Sequence, residues 1–193
     1  MRLQTVRSHR FVGAIVLTSM YVIPSISGCG AGEPALASRD AVAHGKYLVT
    51  TMACGDCHTP WKMGAAGPEP DSSLLLSGHP SQLVLEPPAL TPEWPVAFAP
   101  TNTAMAGPWG ISYAANLTPD DTGLGVWSED VFVQSMRSGK HMGIGRQVLP
   151  PMPWPAYAQM TDEDLRAMYR YLMSIPPIEN IVPTPTPPAP PQG

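Results

Sequence analysis

The sequence predicts a small all-α domain. Apolar residues recur at helical spacing in two stretches, around 42–52 and 165–173, and no alternation of strand and helix patterns lies between them. Cys54-Gly55-Asp56-Cys57-His58, closing the first stretch, indicates what those helices gather around. Two thiols separated by two residues can each add to one vinyl group of a porphyrin, and the histidine that follows then lies beneath the iron. The motif therefore predicts one covalently attached haem c, bonded to Cys54 and Cys57, with His58 as the proximal ligand. Half a zinc site would need two further Cys or His, and the chain has no second CxxC and no HxxxH. A thioredoxin-like dithiol would need the strand and helix alternation that is missing.

Haem attachment of this kind takes place outside the bacterial cytoplasm, so an export signal is expected. Arg2, Arg7 and Arg10 form a positive start, and Phe11 to Ile23 is an apolar run shorter than the roughly 20 residues of a spanning helix. Ile26-Ser27-Gly28-Cys29 then resembles the lipobox of bacterial lipoproteins. That resemblance implies cleavage after residue 28, lipidation of Cys29, and a protein tethered to the periplasmic side of a membrane without a spanning helix. All three cysteines are thereby assigned, leaving none for a disulfide. Removing residues 1–28 takes away three arginines and no acid, leaving 8 Lys and Arg against 15 Asp and Glu. An acidic chain argues against nucleic acid as a partner and favours a redox partner with a basic face.

Residues 29–37 read as a tether of small residues. Ser38 and Asp40 offer start signals for a helix running to the haem motif, with Val42, Tyr47, Leu48 and Met52 on its apolar face. Gly45 costs that helix about 1 kcal/mol relative to Ala, and leaves room for another helix to cross closely. Gly45-Lys46-Tyr47-Leu48 followed by the CxxCH resembles the N-terminal helix of class I cytochromes c, whose glycine contacts the C-terminal helix. The matching helix starts at the capping-box sequence Thr161-Asp162-Glu163-Asp164 and carries Leu165, Met168, Tyr169, Leu172 and Met173. The resemblance implies a class I cytochrome c fold over residues 38–177, in which Tyr171 or Leu172 meets Gly45.

Between the CxxCH and the later helices, about 64–108, lies a Pro-rich stretch whose breakers exclude long helices. Its length inside a compact domain predicts an ordered insert over the haem edge, anchored by Leu74–Leu76 and Leu83–Leu85. From Gly110 to Ser128, with Asn116-Leu117-Thr118-Pro119-Asp120 and Thr122-Gly123-Leu124-Gly125-Val126-Trp127 at its centre, the chain is similar to the haem domains of cytochrome subunits serving membrane-bound alcohol and gluconate dehydrogenases. Those subunits carry several haem domains, whereas this chain has one CxxCH. Ser128 is placed to cap a helix holding Val131, Phe132, Ser135 and Met136, and Gly139 to end it. Residues 178–193 read as an extended, mobile Pro-rich tail.

The sixth iron position decides between electron carriage and ligand binding. Of eleven methionines, Met152 in Leu149-Pro150-Pro151-Met152-Pro153-Trp154 has the stiffest setting and precedes the last helix, where the family places its ligand. Met52, Met63, Met105, Met142 and Met173 lack such a setting. His141 is the rival ligand and His79 a weaker one. Trp109, Tyr113, Trp127, Arg146 and Trp154 are candidate haem-wall or propionate partners. A His58 and Met152 pair leaves no open site and suits a one-electron carrier without substrate chemistry. The alternatives are the electron-accepting subunit of a dehydrogenase complex, expected to copurify with its catalytic chain, and a haem-based sensor, which needs a labile sixth position.

Overall fold

The computed structural model describes residues 33–188, with side chains from Asp40 onward. The signal segment and Cys29 lie outside the described residues. Helix α1 spans Glu33–Thr51, so its first turns take in residues expected as a tether. Glu33-Pro34-Ala35-Leu36-Ala37 explains this: Ala and Leu are strong helix formers, and proline is tolerated in a first turn, where its N–H would find no partner. The chain turns at Ala53, φ 57°, into the one-turn helix α2, Cys54–His58. Helix α3 spans Glu129–Ser138, α4 Trp154–Tyr157 and α5 Asp162–Leu172.

The caps follow the sequence. The Ser128 hydroxyl accepts from Val131 N at 3.2 Å, and Gly139 ends α3 at φ 64°. Thr161 Oγ1 accepts from Asp164 N at 3.1 Å and donates to the Asp164 carboxylate at 2.8 Å. Helices α1 and α5 make the most extensive helix contact, and Gly45 sits at the crossing. A Cβ there would lie 1.9 Å from Ala167 O and 2.9 Å from Tyr171 Cβ. The expected Tyr171 contact is present, but the Ala167 backbone is the closer neighbour.

Leu48, Val49, Leu76, Leu124, Phe132, Val133, Met136, Tyr157, Leu165, Met168 and Leu172 form the helical core. Two expected members of the α1 face are misplaced: Tyr47 is 63% exposed and Met52 37%, while Val49 is buried in their stead. The crossing at Gly45 rotates the buried stripe onto residues 45, 48 and 49. Val133 likewise takes the core place expected of Val131.

The all-α expectation is corrected by two small antiparallel sheets. Strands β1 (Trp61–Gly64) and β2 (Gly67–Pro70) form a hairpin. Strands β3 (Ala97–Phe98), β4 (Ala104–Gly107) and β5 (Gly110–Tyr113) form a three-stranded sheet in that order. Every residue of β4 and β5 is buried. With both faces covered, the strands carry no polar alternation and could not be read as strands. Ala104, Ala106, Ile111 and Tyr113 form a second core, joined by Leu85, Ala99 and Val182. Of the anchors expected in the Pro-rich stretch, Leu76 is buried and Leu85 packs on the sheet core, but Leu75 is 42% exposed.

The tail is extended, and it is hydrogen-bonded to the domain as far as Thr186. Ile111 and Thr186 exchange backbone hydrogen bonds at 2.9 and 3.0 Å, adding a strand position to the β5 edge. Asn180 donates to Ser77 O and His79 O and accepts from Ser81 N. Asn116 donates to Ile178 O at 2.8 Å. Among the described residues no helix is long and apolar enough to cross a membrane.

Candidate functional site

The CxxCH turn is braced from three directions. Gly78 N donates to His58 O at 2.8 Å, Leu76 N donates to the buried Thr59 hydroxyl at 3.0 Å, and Asn102 Nδ2 donates to Asp56 O at 2.8 Å. The His58 Nδ1–H donates to Ala115 O at 2.8 Å, which leaves Nε2 as the lone-pair nitrogen with no protein partner among the described residues. Burial pushes the His58 imidazole down in pKa, outweighing the Ala115 bond that raises it, so the ring is the neutral base a metal requires. Cys54 and Cys57 are both free and half-buried. Burial pushes the Cys54 thiol up to about 11 and raises Cys57 as well, so both stay protonated thiols.

Met152 is half-buried and packs, like Cys54, against the helical core, so the structure brings the loop methionine and the motif to one core. His79 is fully buried with both ring nitrogens engaged, by Thr103 Oγ1 at 2.8 Å and Leu83 O at 2.7 Å. With Nε2–H donating to Leu83 O, Nδ1 accepts from the Thr103 hydroxyl; His79 is a satisfied residue of the sheet core. Tyr113 packs against it with the rings tilted by 46° and their centroids 4.7 Å apart, and belongs to that core. His141 is exposed, edge-on to Trp127 at 5.2 Å. Trp154 lies over Gly139, where an added Cβ would strike its indole at 2.3 Å. Arg146 is exposed, and among the described residues its guanidinium donates a single long bond, 3.4 Å, to Gln147 O. Met105 does have a rigid setting, contrary to expectation: it is buried within β4.

Whether these residues fit a haem is answered by the donors they leave over. The His58 Nε2 lone pair suits iron, and two free thiols at CxxCH spacing suit two vinyl groups. Trp61 Nε1 and Trp109 Nε1 are buried with no acceptor among the described residues. An indole N–H left so costs about 1–3 kcal/mol, and the two propionate carboxylates of a haem are acceptors of the right kind. Trp61 and the Ala115 carbonyl escape the sequence reading. Trp61 could have been found from its place three residues after His58; a backbone oxygen leaves no signal.

Fold and site together define a c-type haem protein. The family model described as Cytochrome c matches residues 42–176, and the chain belongs to that family. The chain is 29% identical over 142 residues to the fructose dehydrogenase cytochrome subunit of Gluconobacter japonicus, covering 73% of this chain and 22% of that protein. It is 28% identical to the cytochrome c subunit of the quinone alcohol dehydrogenase of Gluconobacter oxydans, covering 75% and 23%. To the gluconate 2-dehydrogenase cytochrome c subunit of Pantoea cypripedii it is 44% identical over 36% of this chain and 16% of the other. The chain thus spans about a quarter or less of the length of these curated relatives.

Proposed function

We propose that this chain is a one-electron carrier with a single haem c. Thioether bonds from Cys54 and Cys57 hold the porphyrin, and His58 Nε2 and the Met152 thioether ligate the iron. The bound haem supplies a reversible one-electron couple; the protein's part is to hold both ligands and keep other molecules off the iron. The single observation that carries the reading is the His58 ring, fixed by Ala115 O at 2.8 Å with Nε2 left for the metal. The Trp61 and Trp109 N–H groups serve the propionates. The protein has no substrate chemistry of its own.

Its redox partners are other proteins of the periplasmic side, a dehydrogenase among them, because the relatives are named as cytochrome subunits of dehydrogenases. The second reading, a fixed electron-accepting subunit of such a complex, rests on the same names. Residues 1–28 are a lipoprotein signal, Cys29 is lipidated, and residues 38–177 form the haem domain. The test is a spectrum of the holoprotein from a maturation-competent host. Met152→Ala is expected to abolish the near-infrared band of thioether-to-iron coordination and lower the midpoint potential, with Met105→Leu retaining both. A band that survives Met152→Ala refutes the ligand pair. Copurification of a catalytic flavin or quinoprotein chain from membranes separates the subunit from the free carrier, and a Cys29→Ser protein released from membranes supports the anchor.

A further inference from the structure

The run Pro150-Pro151-Met152-Pro153 has only one residue, Met152, with an N–H to donate. Among the described residues that N–H donates no hydrogen bond, so the loop is held where its carbonyls accept. On the far side of Met152, Pro153 O accepts from Ala156 N at 3.0 Å within the first turn of α4. On the near side, Pro150 O accepts from the Ser112 hydroxyl at 2.6 Å, a contact between residues 38 apart. Before it, the nearest backbone tie is Val148 N to Gly139 O at 2.7 Å.

Ser112 is built for this contact. It is 8% exposed and lies on β5 facing away from the Ile111 and Tyr113 side chains of the sheet core. Its hydroxyl carries one proton, and of its two acceptors Met105 O is at 3.2 Å and Pro150 O at 2.6 Å, so the stronger bond goes to the loop. The strand beneath it is fixed on both edges, by β4 and by the Ile111–Thr186 bonds. We infer that Ser112 is a positioning residue for Met152: through Pro150 O it holds the loop so that the thioether is presented to the iron, and it couples the sheet to the sixth ligand. The inference rests on Met152 being that ligand.

The test compares holoprotein of the wild type with Ser112→Ala, Ser112→Thr and Met152→Ala. It reads the ferric near-infrared thioether band and the affinity for imidazole, which competes for the sixth position. Ser112→Ala is expected to weaken the band and raise imidazole affinity about fivefold, the ratio set by one neutral hydrogen bond. Ser112→Thr, which keeps the hydroxyl, restores both to within about twofold of wild type. A Ser112→Ala protein that melts earlier but binds imidazole as the wild type does overturns the inference alone, because the bond is then merely structural. A thioether band that persists in Met152→Ala overturns the ligand reading and this inference with it. Should Ser112→Ala yield no holoprotein, Ser112→Val against Ser112→Thr makes the comparison, two side chains of one shape differing in the hydroxyl. The same fivefold ratio is expected, and equal affinities overturn the inference.

Discussion

The molecule holds two cores of unlike construction. The helical core is assembled from α1, α3 and α5, the last two with side-chain N-caps, and has large aliphatic side chains and a glycine crossing. The sheet core is small, built on Ala104, Ala106, Ile111 and Tyr113, and completed by residues as distant as Leu85 and Val182. Burial of Leu, Met and Phe contributes about 1.5–3 kcal/mol per side chain, so the helical core supplies most of the apolar stabilisation. The sheet core depends instead on satisfied polar groups, among them His79, Thr103 and the Asn180 bonds that strap the tail across it. One region is stabilised by area, the other by completeness, and they should fail differently.

The largest expected effect breaks the helical core. Gly45→Ala drives a methyl to 1.9 Å from Ala167 O, a backbone atom of the facing helix that cannot step aside. A loss of about 3 kcal/mol in denaturant unfolding is expected, with the whole molecule melting as one unit. Gly110→Ala attacks the other core: φ is +94° and the new Cβ would lie 2.0 Å from Thr186 O. Here about 2 kcal/mol is expected, and hydrogen exchange should rise at the Ile111 and Thr186 amides while α5 stays protected. Equal loss of protection in both regions would show that the cores do not behave separately.

Acidification sharpens the contrast. Burial pushes the His79 imidazole below its ordinary pKa, only partly offset by the Leu83 carbonyl. The folded form therefore holds the neutral ring, and the unfolded chain binds the proton first. Stability from this group is complete above about pH 6.5 and declines as the pH falls from there through the lowered folded value. His79→Gln should lose about 2 kcal/mol at neutral pH and flatten this part of the stability profile, measured as the difference from wild type in urea melts. The smallest effect is the cap of α3, where Ser128→Ala is expected to cost about 1 kcal/mol without changing exchange in the sheet.

The same contrast governs what can be read from the sequence. The Ser128 and Thr161 caps and Gly139 are local signals, in which a residue type answers the need of a backbone a few positions away, and the CxxCH and Gly45 stand out as short patterns although Gly45 answers Ala167 across the fold. The cytochrome c fold was legible from them. Strands β4 and β5 were not, because a doubly buried run of Ala, Met, Gly, Ile and Ser has no alternation to detect. Nor was the docking of the tail, which depends on pairing across many residues. The grouping of Cys54, Cys57 and His58 at the candidate site was legible because it sits in five consecutive positions. The Ala115 carbonyl and the Ser112 hydroxyl act through contacts that only the folded chain creates. Tyr47 was misread because helical spacing gives a stripe but leaves its rotation to the crossing helix.

The Ile111–Thr186 pairing also bears on the order of events in a growing chain. The two residues lie 75 positions apart, so the β5 edge stays open until the chain has been delivered as far as Thr186. Closing that edge is therefore a late step for the chain, and a truncation before Thr186 would leave the Ile111 backbone groups facing water.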